Sequence, residues 1–418
     1  MIYKKYKLKK KSKLYHIKFS SSNFFVFIPC IHFILFSCNS YTSEFVPIKP
    51  IVNHQNGINY IGIDSCLECH PQIVSSHLQT SHYKTSKLIE FNDIDFSGKN
   101  SINFANGDSI KFTYEEGIFY QEGYRNYINI PYYKKSMDVV LGSGNKGKSF
   151  LNWDNNSLFQ LQGSFVENPS KWINSPGYRS SLSEMRPIIP ICLECHVTYA
   201  EPLNPIGNLK KNKFSKKNII YGIDCQKCHG AVENHVKHHQ ENRMDTIGKY
   251  ILSYANFTQS QRISVCALCH SGVEDKNELK RFAFQPGDSF KNLINKNELF
   301  KNSREIDVHG NQVGALIGSK CFQETENMDC MTCHNPHKQE RGNSVKFNSI
   351  CISCHQGVKH SEQSSNNPIS LSECITCHMP LKNSRSMKLE LDVNVLTPVK
   401  VRSHFISIND SHKKNTSP

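Results

Sequence analysis

Seven copies of the pattern Cys-x-x-Cys-His recur along this 418-residue chain, and no other feature constrains its fold as strongly. With 20 histidines in the chain, a histidine follows a given cysteine pair by chance about once in twenty, so seven together have a chance probability on the order of 10⁻⁹. Zinc ribbons, redox-active cysteine pairs and disulfide scaffolds do not need a histidine directly after the second thiol. The pattern therefore predicts seven covalently attached c-type haems, each held by two thioether bonds and one axial imidazole.

In chain order, the two predicted attachment cysteines and the predicted proximal iron ligand are Cys66, Cys69 and His70 in motif 1; Cys192, Cys195 and His196 in motif 2; Cys225, Cys228 and His229 in motif 3; Cys266, Cys269 and His270 in motif 4; Cys330, Cys333 and His334 in motif 5; Cys351, Cys354 and His355 in motif 6; and Cys374, Cys377 and His378 in motif 7.

Histidines outside the motifs are candidates for the sixth ligand of each iron. Eleven of them follow residue 38, which exceeds the seven needed for bis-histidine ligation. The alternative for each is a surface histidine or one that only supports a ligand; His54 and His412, in polar segments, are assigned to the surface. The predicted distal ligands are His82, His235, His309, His337, His360 and His404, with His239 as the weaker seventh candidate.

Methionine is the other possible distal ligand, and it would raise the reduction potential. Met379 directly follows a proximal histidine and cannot fold back to that iron, while Met328 and Met331 flank another attachment site, so core packing explains all three better. Cys321 is the unpaired thiol of the mature chain and is interpreted as a buried structural cysteine.

The N-terminus indicates export. Eight lysines and no acid lie between residues 4 and 18, and a short apolar run at 23–37 ends at Cys38, as in bacterial lipoprotein leaders. A lipidated Cys38 is therefore predicted, with a plain cleaved signal or an uncleaved anchor as alternatives. Loss of the leader lowers the formal charge from +14 to +6, and haem propionates lower it further, so we expect no nucleic-acid partner.

The spacing of the haem motifs and the local residue pattern divide the chain into segments. We expect a mainly α fold with much irregular structure, packed around haems that supply much of the core, and a small β-rich insert near 98–170 where aromatic and aliphatic residues alternate. The glycine-rich sequence at 142–147 is interpreted as a hairpin turn, since the segments on both sides of it have the residue pattern of strands. The predicted segments are a leader (1–37), a tether (38–60), a first haem segment (61–97), the insert (98–185), a six-haem module (186–380) and a C-terminal tail (381–418) carrying His404.

Several stretches resemble the multihaem cytochromes related to cytochrome c-554 and, more distantly, the pentahaem nitrite reductases and hydroxylamine oxidoreductases. They are CLECHPQIVSSHLQTSH (66–82), GIDCQKCHGAVENHVKHH (222–239), CALCHSG (266–272), PGDSF (286–290), CMTCHNPH (330–337) and CITCHMP (374–380). The resemblance implies distal roles for His82, His235 and His337. His77 stands where relatives often have tryptophan, and the Cys-x-x-Cys-Lys motif typical of the nitrite reductases is absent from this sequence.

Three functions follow from these features. The first is an exported electron carrier in the periplasm or at the outer membrane, exchanging electrons with a quinol oxidase-side donor or another cytochrome. The second is an oxidoreductase in which one haem has an open position for a small nitrogen or sulfur compound, roofed by the insert. The third is a haem-bearing docking subunit whose insert binds an oxidoreductase. The sequence favours electron transfer and identifies no catalytic residue.

Overall fold

A computed structural model describes residues 50–53, 59–203, 212–272, 282, 284–287, 311–357, 373–392 and 395–408. All of these lie in one compact unit, Phe45–Pro418. Within these ranges no helix is long and apolar enough to cross a membrane. The predicted leader, the lipidation site Cys38 and the histidines at 54, 309, 360 and 412 fall outside the described residues.

The first haem segment contains short elements rather than one helix. The helical pattern after motif 1 ends at His77, and the chain then makes a 3-10 turn and enters a strand. The elements are β1 (Pro50–Asn53), β2 (Asn59–Ile61), α1 (Asp64–Leu67), α2 (Pro71–His77), a 3-10 turn (Tyr83–Thr85), β3 (Ser86–Leu88) and a second 3-10 turn (Phe91–Asp93).

Two antiparallel sheets fill the region between motifs 1 and 2. Their strands are β4 (Ser101–Asn103), β5 (Ser109–Glu115), β6 (Ile118–Tyr124), β7 (Tyr133–Ser136), β8 (Val139–Leu141), β9 (Lys148–Asp154), β10 (Ser157–Glu167), β11 (Ser170–Asn174) and β12 (Arg186–Pro187). One sheet has the order β4-β5-β6-β7, and the other has the order β11-β10-β9-β8-β3 with β12 beside β10. Residues 142–147 connect the antiparallel strands β8 and β9, as the hairpin interpretation expects.

An aromatic core joins the two sheets. The Trp172 ring stacks on Phe112, with centres 3.5 Å apart, and it also contacts Phe150 and Phe165. A second core cluster joins Leu151 and Leu158 of the sheets to residues of motif 2 and its flanks. The insert is therefore continuous with the segment that carries motif 2.

The haem-motif region has short helices, most of which begin or end at a motif. They are α3 (Pro190–His196), α4 (Cys225–His229), α5 (Glu233–Glu241), α6 (Gln259–His270), α7 (Gln312–Ile317), α8 (Lys320–Gln323), α9 (Ser344–Cys354) and α10 (Cys374–His378), with 3-10 turns at Tyr254–Asn256 and Cys330–Thr332. Polar side chains cap the N-termini of several of these elements, and each accepts a hydrogen bond from a backbone amide that has no partner within the helix. Asp224 accepts from the Gln226 amide, Asp329 accepts from the Thr332 amide, and Asn343 accepts from the Lys346 amide.

The expectation of a mainly α fold is wrong. The described residues are 28% helical and 31% strand, with several antiparallel sheets. Outside the insert, two hairpins contribute strands that the sequence analysis did not predict: β13 (Val197–Pro202) with β14 (Phe214–Tyr221), and β15 (Leu381–Asp392) with β16 (Val395–Arg402). The β15–β16 hairpin is largely exposed, and its sequence shows no clear alternation of apolar and polar residues. It contacts the insert, where Lys146 Nζ donates to the Lys400 carbonyl over 3.0 Å.

Side-chain cores are small in the motif-rich region. Two clusters described there have three buried members each: Ile263, Ala267 and Val313 in one, and Ile61, Val232 and Val236 in the other. The larger clusters are those that include the strands of the insert. This distribution agrees with cofactors supplying much of the interior around the motifs.

Candidate functional site

Each motif folds as a short helical turn. In motifs 1, 5 and 6 the histidine amide donates to the carbonyl of the first cysteine over 2.9 Å, and in motifs 2, 3, 4 and 7 the histidine is the last residue of a helix. One such turn places positions i, i+3 and i+4 on the same face. Both thiols and the imidazole of a motif therefore face one side, as attachment to a single haem requires.

Three motif histidines lie opposite a histidine from elsewhere in the chain, at closely similar distances. The ring-centre separations and interplanar angles are 6.1 Å and 74° for His82 and His270, 6.1 Å and 10° for His229 and His337, and 6.2 Å and 34° for His334 and His404.

These separations fit two imidazoles on opposite sides of one iron. A metal–imidazole bond is about 2 Å long and the ring nitrogen lies about 1 Å from the ring centre, so two trans ligands place their ring centres about 6 Å apart. In every pair, one ring belongs to a motif and the other is one of the predicted distal histidines. The residues present therefore fit a six-coordinate haem at motifs 3, 4 and 5.

His235 is held in an orientation suited to ligation. Its Nδ1 donates to the Lys249 carbonyl over 2.7 Å, which leaves Nε2 as the free lone pair. Burial lowers the pKa of His235, and the imidazoles of His239, His70 and His229 lower it further, so His235 lies near motifs 1 and 3. His239, by contrast, accepts a backbone hydrogen bond from the Lys249 amide at Nε2, over 3.4 Å.

His77 has a different environment, although its ring centre is also 6.3 Å from that of His337. Its side chain is buried, and its Nε2 lies 2.9 Å from the Ile223 carbonyl, to which it donates. A nitrogen engaged in this way cannot bind a metal at the same time. Nε2 of His77 thus holds the chain just before motif 3, while its buried Nδ1 has no hydrogen-bond partner.

Comparisons with known proteins found similar sequences among the multihaem cytochromes. A family model described as "Cytochrome c554 and c-prime" matches residues 152–230, which contain motifs 2 and 3. The multiheme cytochrome MtrA of Shewanella baltica (strain OS185) is 25% identical over 183 residues, which cover 39% of this chain and 51% of that protein. The chain is thus similar to multihaem c-type cytochromes. The predicted family resemblance is thus confirmed, and haem c is the cofactor.

This cytochrome spans about half the length of that curated relative. Among solved structures, the crystal structure of outer cell wall cytochrome OcwA is similar, with a TM-score of 0.48 and 15% sequence identity, over 83% of this chain and 79% of that one.

Two predicted proximal histidines have chemically different partners at Nδ1. His196 Nδ1 lies 2.8 Å from the Thr85 hydroxyl, whereas His378 Nδ1 lies 3.1 Å from the Ser407 carbonyl. With Nε2 on a metal, Nδ1 carries the proton and donates to these oxygens, which orients the ring and raises its basicity. Sequence reasoning missed Thr85, because a hydroxyl 111 positions away from its histidine leaves no local pattern.

The segment around Thr85 also holds the backbone of motif 2. The Ser86 hydroxyl donates to the His196 carbonyl over 2.6 Å and accepts from the Gly222 amide over 2.9 Å. Gly222 has φ +69°, and a Cβ there would lie 2.2 Å from the Tyr83 carbonyl oxygen. Three distant parts of the sequence thus meet at one point beside motif 2.

Cysteines of different motifs also approach one another. Side-chain hydrogen bonds join Cys66 to Cys225, Cys195 to Cys269, and Cys266 to Cys330. Electrostatic interaction couples Cys351 to Cys374 and Cys333 to Cys354. The neighbouring motifs are therefore 1 with 3, 2 with 4, 4 with 5, 5 with 6, and 6 with 7.

Two of the predicted distal histidines are kept neutral by their surroundings. The pKa of His82 is lowered to about 4, mainly by desolvation and then by the His270 imidazole. Desolvation and the His334 imidazole likewise lower the pKa of His404 to about 4. Because only the neutral imidazole binds a metal, both residues are in the ligating form at neutral pH.

Proposed function

We propose that this protein is an exported heptahaem cytochrome that passes electrons between redox partners through haems with two histidine ligands. The observation that carries the proposal is the set of three motif and non-motif histidine pairs with ring centres 6.1–6.2 Å apart. An iron with both axial positions filled exchanges electrons with its surroundings but has no site for a substrate.

The geometry supports a specific ligand assignment. His337 pairs with motif 3, His82 with motif 4 and His404 with motif 5, while the orientation of His235 and its electrostatic coupling to His70 favour motif 1. Motifs 2, 6 and 7 then draw on the remaining candidates, His309 and His360, and on His239 through Nδ1, since its Nε2 accepts from the Lys249 amide. When bound, haem supplies the one-electron iron couple, and the histidines hold it and set its potential.

The contacts between motifs support a continuous path. Motif 5 neighbours motif 4 through Cys330 and motif 6 through Cys333, and His337, only three residues after His334, reaches motif 3. Motif 1 joins motif 3, and motif 2 joins motif 4. Electrons entering near motif 1 or motif 2 would converge on motif 5 and leave through motifs 6 and 7.

Export, anchoring and partners rest on the sequence. The lysine-rich leader and apolar run support secretion to the periplasm or outer membrane, with Cys38 as the lipidated residue. Haem c attachment to seven motifs also fits an exported protein. The partners would be redox proteins, either another cytochrome or a quinol oxidase-side donor.

Two measurements on the purified holoprotein test the proposal. Mass spectrometry should find seven covalently bound haems, and a double Cys351→Ser, Cys354→Ser variant should lose one. Electron paramagnetic resonance of the oxidised protein should show only low-spin ferric haem. A high-spin signal from one haem per protein, shifted by nitrite, hydroxylamine or sulfite, would instead support an enzyme with an open haem.

A further inference from the structure

The loop between β6 and β7 exposes an apolar surface at the end of the insert. Residues 125–132 are all exposed, and the four large apolar side chains among them are Tyr127 at 83%, Ile128 at 56%, Ile130 at 75% and Tyr132 at 60%. Soluble proteins usually leave such residues singly exposed, whereas a contiguous group marks an interaction surface.

This loop, residues 125–132, rests on a firmly bonded base. The Asp108 carboxylate accepts from the Asn126 amide over 3.1 Å and from the Leu182 amide over 3.1 Å. The Tyr127 amide donates to the Gly107 carbonyl over 3.3 Å. The Tyr127 ring packs against Gly107 so closely that a Cβ on this glycine would lie 2.5 Å from the ring. The apolar tip is therefore held outward by its own hydrogen bonds.

Backbone conformation at the base of the loop is costly. Asn126 has φ +43° and Tyr127 has φ +62°, and an aromatic residue with positive φ is uncommon because its Cβ crowds the backbone. Such strain persists where the surrounding structure requires it, and it is concentrated at functional sites. The strained backbone that holds this tip thus lowers the stability of the fold.

The charges around the tip favour one kind of surface. Arg125 and Lys135 flank the tip, and no acidic residue occurs from 123 to 137. Lys134 is paired with Glu115 and Glu122, and Asp108 lies at the base of the loop, so the cations at the tip are Arg125 and Lys135. The Arg125 guanidinium stacks over the Tyr132 ring at 4.0 Å, which places a cation beside the apolar side chains. Tyrosine and aliphatic residues next to cations suit the boundary between acyl chains and anionic headgroups.

We propose that the loop at residues 125–132 inserts its tip into the surface of an anionic lipid bilayer. A projecting stretch of eight exposed residues suits a soft bilayer better than the flat interface typical of protein partners. Ile128 and Ile130 enter the acyl boundary, the tyrosines lie at the headgroups, and Arg125 with Lys135 contacts lipid phosphate. This contact is independent of any acyl group on Cys38.

Vesicle co-sedimentation of the holoprotein tests the proposal. A cleavable secretion signal replaces residues 1–38 in every sample, so that no leader or acyl chain contributes. Binding, measured by haem absorbance, is expected to vesicles of phosphatidylcholine with one third phosphatidylglycerol and to weaken with added salt. Ile128→Asn with Ile130→Asn should reduce the bound fraction about tenfold.

The matched control is Met244→Asn with Ile247→Asn, which changes two similarly exposed apolar residues, 94% and 65%, and should bind like the parent. Equal binding by the loop variant and the parent, or no binding by the parent, overturns the proposal. Size-exclusion chromatography tests whether the loop instead binds a second copy of the chain. If the loop substitutions dissociate a dimer without changing vesicle binding, the loop contacts a second copy and the proposal fails.

Discussion

The imidazole rings of His229 and His337 lie nearly parallel, at 10°, with their centres 6.1 Å apart, although 108 positions separate them in the chain. His337 belongs to the segment that follows motif 5, so under the proposed assignment the distal ligand of the motif 3 haem would come from the segment that builds the motif 5 site. Replacing this residue therefore probes both the ligand assignment and the coupling between neighbouring haems.

We expect His337→Met to raise the reduction potential of one haem, because a thioether stabilises ferric iron less than an imidazole does. Optical redox titration would resolve the shifted component, and electron paramagnetic resonance would report its changed ligation. His77→Asn is the control, since His77 lies equally near His337 but donates to Ile223. If the His77 variant shows the altered haem and the His337 variant does not, the assignment is wrong.

Thr85→Val is expected to raise the potential of the motif 2 haem, because His196 loses a hydrogen-bond acceptor at Nδ1 and becomes a weaker donor to iron. Thr85→Ser keeps the hydroxyl and should restore the parent potential. Spectropotentiometry on both holoproteins makes the comparison. Equal shifts in the two variants would mean that Thr85 acts through packing alone.

Gly222→Ala should lower the free energy of unfolding by at least about 2 kcal/mol, because φ +69° and the Tyr83 carbonyl leave no room for a Cβ. Chemical denaturation followed by circular dichroism measures the loss. Gly62→Ala is the matched control, since nothing lies within 4 Å of its Cβ position, and its effect should stay within about 0.5 kcal/mol. Similar losses at both positions would refute the steric explanation.

Asp329→Ala should destabilise the protein by about 3 kcal/mol. The Asp329 carboxylate is nearly buried, pairs with Arg262 of α6 and caps the turn of motif 5, so its loss leaves an uncompensated cation and an orphan amide. Lys237→Ala in the more exposed Lys237–Glu233 pair should cost less than about 0.5 kcal/mol. The same denaturation experiment compares the two, and a small effect at Asp329 would contradict the prediction.

The sequence anticipated the insert and the hairpin turn at 142–147, because alternation and glycine are local signals. It did not anticipate the strands at 381–392 and 395–402, whose side chains are mostly exposed and whose pairing depends on the insert alongside. Nor did it show where helix α2 after motif 1 ends, which is at His77. Pairing with β8 draws the chain into a strand at Ser86 instead.

By itself, the sequence determined the haem motifs, their proximal histidines and the local turn, because two thiols and an imidazole within five residues require only local geometry. It also supplied the candidates for the distal ligands, which stay predictions. Only the tertiary structure decided which histidine faces which motif, that Thr85 supports His196, and that strands outnumber helices in the described chain. Each of those features depends on contacts between residues that are far apart in sequence, which no local pattern encodes.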